Sequence, residues 1–223
     1  MRLHAPARAL VGLRDFYSGR LGFERLQQPD EAVAFEIGAA RLEFLPSSAE
    51  AFHHFALLVP GNRFAQALAW AGERAKLLPD RTSGEVVFDF SHWRAQACYF
   101  HDPAGNIVEL IAHAGIGETD AVGSFTAEEL LGMSELGLVG ATAAMAGVLE
   151  RRLALELWDG TVEEGRLAFV GERARTLILA PAGRPWLPTE RPAEAHPAEV
   201  VLSGSPRREV RLEQGYRIAR AGS

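Results

Sequence analysis

Cysteine occurs once in the 223 residues, at Cys98, so no disulfide can form within the chain and its stability must come from a packed core. Cys98 sits in the apolar run ACYF and reads as a small buried side chain rather than a nucleophile. Lysine is equally scarce: of 23 basic residues only Lys76 is a lysine, a bias that carries no information about mechanism. No apolar run reaches the roughly 20 residues needed to span a bilayer, which argues against a transmembrane helix and makes a cytoplasmic location the default expectation. A basic stripe is also missing. The net charge is -6, and the one dense basic run, RREVR at 207–211, reads as a solvated strand face. Neither a nucleic acid nor an acidic membrane is therefore an expected partner. What remains is an ordinary globular composition, 48% hydrophobic and 23% charged, long enough for one large domain or two modest ones. The expected partner is a small molecule, and the protein is expected to be a monomer or homodimer.

What is present is a repeat. In residues 52–112, FHHFALLVP reads as a strand ended by proline and glycine, and NRFAQALAWAGERAKLL as a helix with Phe64, Leu68 and Leu77 on one period, for which Asn62 could serve as cap. AQACYFHDPAGNIVELIA then reads as a hairpin around DPAGN, with the residues that turns require. Residues 1–46 follow the same order: RLHA, the helix ARALVGLRDFYSGRLGF ending near Gly22, and the hairpin AVAFEIGAARLEFLP. A third copy begins after the acidic, glycine-bearing stretch around 115–129, with SELGLVG, ATAAMAGVLERRLAL and RLAFVGERARTLILAP. A fourth is reduced to the strands AEVVLS, REVRLEQ and YRIARA. The expected fold is α+β, with tandem βαβββ modules paired into curved mixed sheets and helices outside. Its expected parts are paired modules at 1–50 and 51–112, a linker at 113–132, and a third module with a truncated fourth at 133–223.

DFYSGRLGF (15–23), HFALLVP (54–60) and YFHDPAGNIVELIA (99–112) carry a family resemblance. Through them the chain resembles the vicinal oxygen chelate superfamily of glyoxalase I, bleomycin- and fosfomycin-resistance proteins and extradiol ring-cleaving dioxygenases. That resemblance implies paired modules enclosing a metal or ligand site, each module offering a histidine from its first strand and a glutamate from its last. Carried onto this sequence, it implies the ligands His4 and Glu43 from the first module and His54 and Glu109 from the second, with His53 on the opposite face. In the third module Glu135 stands where the histidine would be and Leu179 or a neighbour where the glutamate would be, so that pair is expected to bind no metal.

Residue chemistry supports a site independently at one position. Glu109 lies between Val108 and Leu110, with Ile107 and Ile111 on its own face, and a carboxylate buried there needs a cation or a hydrogen-bonding partner. Imidazole and carboxylate together suit zinc, nickel, manganese or iron(II). Two histidines and two glutamates leave about two of six positions open for a bidentate oxygen ligand. That favours a glyoxalase-like lyase or isomerase in which Glu43 or Glu109 moves the proton. The alternatives are an extradiol-type dioxygenase using iron(II), with Glu43 turned away, and a resistance-type binding protein without catalysis. Phe90, His92, Trp93 and Arg94, in FDFSHWRAQACYF, are the expected pocket wall, and GRPWLPTERPAEAHP reads as an ordered crossing loop able to act as a lid.

Overall fold

The computed structural model describes residues 1–28, 32–204 and 206–222. Its elements follow the repeat. The first unit is β1 (Arg2–Pro6), α1 (Leu10–Arg14), β2 (Glu24–Leu26), β3 (Val33–Ile37) and β4 (Ala40–Ser47). The second is β5 (His54–Val59), α2 (Phe64–Arg74), β6 (Phe88–Phe90), β7 (Ala95–His101) and β8 (Ile107–His113). The third is β9 (Gly132–Val139), α3 (Thr142–Leu153), β10 (Leu157–Gly160), β11 (Ala168–Glu172) and β12 (Arg175–Ala180). The fourth keeps only β13 (Ala198–Ser203), β14 (Arg208–Arg211) and β15 (Tyr216–Ala221).

Local chemistry accounts for the unit boundaries. α1 continues as a π-helical turn, Asp15–Arg20, and stops where Gly22 adopts φ +78°, a left-handed conformation open to glycine. In the DPAGN turn the Asp102 carboxylate accepts the backbone N–H groups of Ala104 (2.9 Å) and Asn106 (3.0 Å), and also Asn106 Nδ2–H (2.8 Å) and the Tyr17 hydroxyl (2.9 Å). One aspartate thus holds the hairpin and ties it to α1's extension. Asn62 does not cap α2. Its side-chain amide is clamped to the Thr119 backbone instead, at 2.7 and 3.2 Å, a partner 57 residues away that no local pattern reveals.

Within each unit the last strand runs parallel to the first: β1 with β4, β5 with β8, β9 with β12, and β13 with β15. Between units the pairing differs from the expected one. Units one and two share no sheet. β5 pairs antiparallel with β9, giving an eight-stranded sheet ordered β10-β11-β12-β9-β5-β8-β7-β6. β1 pairs antiparallel with β13, giving a seven-stranded sheet ordered β14-β15-β13-β1-β4-β3-β2. The physical reason is that each unit leaves one first-strand edge unbonded, and any other first strand can satisfy it equally well by local criteria.

One face of each sheet, with the three helices, forms a common core. Leu3, Phe35 and Phe44 of the smaller sheet join Phe55, Leu57, Val108, Leu110, Leu136 and Leu138 of the larger, with Leu13, Trp70 and Leu149 from the helices. Each such residue, wholly removed from water, contributes about 1.5–3 kcal/mol. The other face of the eight-stranded sheet carries a separate cluster that includes Phe52, Ala56, Tyr99, Ile107, Ile111 and Trp186.

Candidate metal centre

The two histidines of FHHFALLVP face different surroundings. His54 opens β5 and points to the same side as Ala56, into the second cluster, whereas the His53 ring donates from Nε2 to the His4 carbonyl at 3.1 Å. Burial holds the His53 imidazole down to about 3, so it stays neutral. His54 has its tautomer set for ligation. Its Nδ1–H reaches the Ile107 carbonyl at 3.3 Å, which leaves the Nε2 lone pair directed inward, 3.4 Å from Glu109 Oε2.

The register then brings in two carboxylates. Ala56 of β5 pairs with Glu109 of β8 on one side and with Glu135 of β9 on the other. The three side chains form one row across adjacent strands, and the small Ala56 leaves the middle open for the two glutamates and His54 to converge. One ligand atom from each of His54, Glu109 and Glu135 lies within 4.8 Å of the others, and all three residues are at most 5% exposed. Thr176 Oγ–H approaches Glu135 Oε1 at 3.4 Å. Burial, reinforced by the charge of Glu109, pushes the Glu135 carboxyl well above its ordinary range. The Tyr99 phenol, in register with Glu109, is raised by burial and by both glutamates.

This set fits a divalent ion. Two buried carboxyl groups converge with one imidazole, among the described residues no arginine or lysine pairs with either, and a dication bound there would compensate the charge of both carboxylates.

His4 and Glu43, expected as ligands, lie in the seven-stranded sheet and do not join His54 and Glu109, because β1, with β4 alongside it, pairs with β13 rather than with β5. Glu43 is nonetheless satisfied: it accepts Arg2 Nε–H at 2.9 Å and Arg41 Nη2–H at 3.0 Å. The row continues laterally through Arg2, Glu199 and Arg217, so a ladder of ion pairs crosses that sheet. His4 is half-buried and stands opposite Leu45, two positions along the register from Glu43. Glu135 is the residue that sequence reasoning missed. The signal was on view, since it occupies the histidine's place in the third unit, but it was read as the loss of a ligand rather than the exchange of one.

Of the expected pocket wall, Trp93 is buried, donates from its indole N–H to Asp159 at 2.6 Å, and packs on Trp158 (5.1 Å) and Phe169 (4.7 Å). Phe90 (5.4 Å) and His92 (5.0 Å) flank it, and Arg94 is exposed with φ +54°. Cys98 is buried, its thiol pushed up to about 12 chiefly by desolvation, which leaves it inert at neutral pH. A cleft of about 690 Å³ is bordered by Glu135, Thr176 and Met133 and by Arg2, Glu43 and Glu199, but by neither His54 nor Glu109.

No protein-family model matches the sequence, and no curated protein matches it. Solved structures do. A candidate dioxygenase from Bacillus subtilis superposes with a TM-score of 0.61 at 14% identity, covering 100% of this chain and 83% of its own. A single-residue variant of glyoxalase I from Zea mays gives 0.61 at 12% identity over 99% and 92% of the two chains. Unaltered maize glyoxalase I gives 0.54 at 13% identity over 98% and 90%. At such identities a likeness speaks for architecture alone. Three βαβββ units and a fourth reduced to strands, joined in pairs into two curved mixed sheets, give this chain the fold of these solved structures, the vicinal oxygen chelate fold that the sequence resemblance implied.

Proposed function

We propose that the protein is a divalent-metal enzyme acting on a small molecule that chelates through neighbouring oxygens, with His54, Glu109 and Glu135 as the metal ligands. The carrying observation is the convergence of one imidazole and two buried carboxylates within 4.8 Å, with no arginine or lysine paired to either carboxylate among the described residues. The metal, when bound, supplies a Lewis acid that polarises the ligated oxygens. His54 offers Nε2 because Nδ1–H is committed to the Ile107 carbonyl. The two carboxylates divide the remaining work. Glu135, whose burial raises its proton affinity, is the proton acceptor for a carbon acid, and Glu109 serves as the carboxylate ligand beside His54. The reaction class is accordingly a lyase or isomerase of the glyoxalase kind.

One observation favours a second reading. Three protein donors rather than four leave about three of six positions free, enough for a bidentate substrate and oxygen on iron(II), as in an extradiol-type dioxygenase. Elemental analysis of protein purified without an affinity tag, wild type against Glu109→Ala, separates the two. Zinc, nickel or manganese near one per chain and lost in the variant supports the lyase or isomerase. Iron supports the dioxygenase. No metal after reconstitution would overturn both and leave a binding protein.

A further inference from the structure

Between β12 and β13 the chain crosses the face of the eight-stranded sheet that carries His54, as a narrow tongue. Gly183 N–H donates to the Ala193 carbonyl (2.8 Å), Ala193 N–H to Arg184 (2.8 Å) and Trp186 N–H to Arg191 (3.0 Å), and Pro185 and Pro192 form a bridge. These backbone bonds are internal to the tongue. Its hold on the body is through side chains: Arg191 reaches the Gly105 carbonyl at 3.1 Å and lies 3.4 Å over the Phe52 ring, and Glu190 pairs with Arg81 at 2.6 Å on the surface. A surface ion pair of that kind contributes little.

The tip is different. Trp186 is 4% exposed and lies over the His54 imidazole with centroids 5.0 Å apart and planes at 39°. Gly137 makes room for it, since a β-carbon there would stand 2.7 Å from the indole. The indole thus covers the face of His54 without taking up the ring-plane direction of Nε2. The 690 Å³ cleft reaches Glu135 alone of the three ligands. With the tongue down, the His54–Glu109 side of the site is closed by Trp186.

We propose that residues 181–193 are a displaceable lid over the His54–Glu109–Glu135 site, with Trp186 as its plug, so that ions and chelating ligands exchange only when the tongue lifts. This rests on reading the triad as a ligand site. The lid opens as a unit because its hydrogen bonds travel with it, while the strands on either side stay in their sheets.

The test has two arms on the full-length chain. In hydrogen exchange of the metal-free protein, the amides of Gly183, Trp186 and Ala193 are expected to exchange together, at least about 100-fold faster than those of Leu177–Leu179 in β12. In the second arm, zinc-loaded protein is mixed with excess EDTA. Release is expected to be at least fivefold faster for Trp186→Ala and for Arg191→Ala, the latter a surface change that leaves the sheets intact if the former fails to fold. Tongue amides as protected as the strand, or unchanged release in the folded variants, would overturn the lid. If the wild type takes up no zinc, it is the metal reading that fails, and the exchange arm still decides the lid.

Discussion

Replacing Glu135 by glutamine should stabilise the metal-free protein and abolish its response to metal. Two unit negative charges, were both carboxyls ionised, would repel by about 3.5 kcal/mol at an effective dielectric near 20 if they stood at the 4.8 Å limit of their separation. Burial is the larger cause, and together with the charge of Glu109 it pushes the Glu135 carboxyl well above its usual 4.5. A carboxyl raised on folding contributes stability that is fully present below about pH 4.5 and is lost as pH climbs through the folded value. Glutamine is isosteric, carries no charge, and keeps the contact with Thr176 Oγ. At pH 8 without metal it should therefore recover roughly 2–3 kcal/mol, which at about 2–4 °C per kcal/mol for a chain of this length is a rise of about 4–12 °C in Tm. At pH 4 the two proteins should melt nearly together. Zinc reverses the order, because at about 100 times Kd it adds roughly 2.7 kcal/mol to the wild type and little to a variant that has lost a ligand. Thermal melts at pH 4 and pH 8, with zinc and with EDTA, give all four quantities. A metal-free glutamine variant that melts lower than wild type at pH 8, or that gains as much from zinc, would refute the account of this pair.

Other outcomes follow from the same geometry. Glu43→Gln should leave metal content unchanged while lowering stability by about 1 kcal/mol in urea, since Arg2 and Arg41 lose a shared buried partner but stay half-exposed themselves; loss of metal would restore Glu43 as a ligand. Asp102 is raised to about 6 from 3.8, mainly by burial and against its four hydrogen bonds, so its contribution is present below pH 4 and drains away by about 3 kcal/mol as pH rises to 6. Asp102→Asn should accordingly gain on wild type between pH 4 and 6.5 in urea titrations, and a constant gap would contradict this. His53, at about 3, and His113, at about 4, act in the opposite sense and lose stability as pH falls below 6.5, which is why the comparison is made between variants. Gly137→Ala puts a methyl group 2.7 Å from the Trp186 indole and should cost about 1–3 kcal/mol, with faster exchange of the tongue amides; an unchanged Trp186 signal in near-ultraviolet circular dichroism would argue against that contact.

Much of the architecture was legible in particular residues. Gly22 and Gly105 with positive φ, the Asp102 of DPAGN, and the alternation of FHHFALLVP and NIVELIA each act within a few residues, so the four units and their strand order could be read from the chain. His54 was legible through the family resemblance and Glu109 also through its apolar neighbours, and both lie in one unit, on strands that the unit itself pairs. Glu135 and Trp186 were not, since each reaches the site from a segment separated from His54 by a long stretch of chain.

The sequence by itself determined the βαβββ repeat and the buried faces of its strands, because local turn chemistry and side-chain periodicity suffice for those, and its family resemblance named two of the three residues of the candidate metal site. Only the tertiary structure decided which units share a sheet. Every first strand offers the same unpaired edge, and pairing β5 with β9 rather than β1 is a choice among non-local partners. That choice carries Glu135 to His54 and Glu109, leaves Glu43 to the arginines of the other sheet, and lets the segment after β12 lay Trp186 over the site.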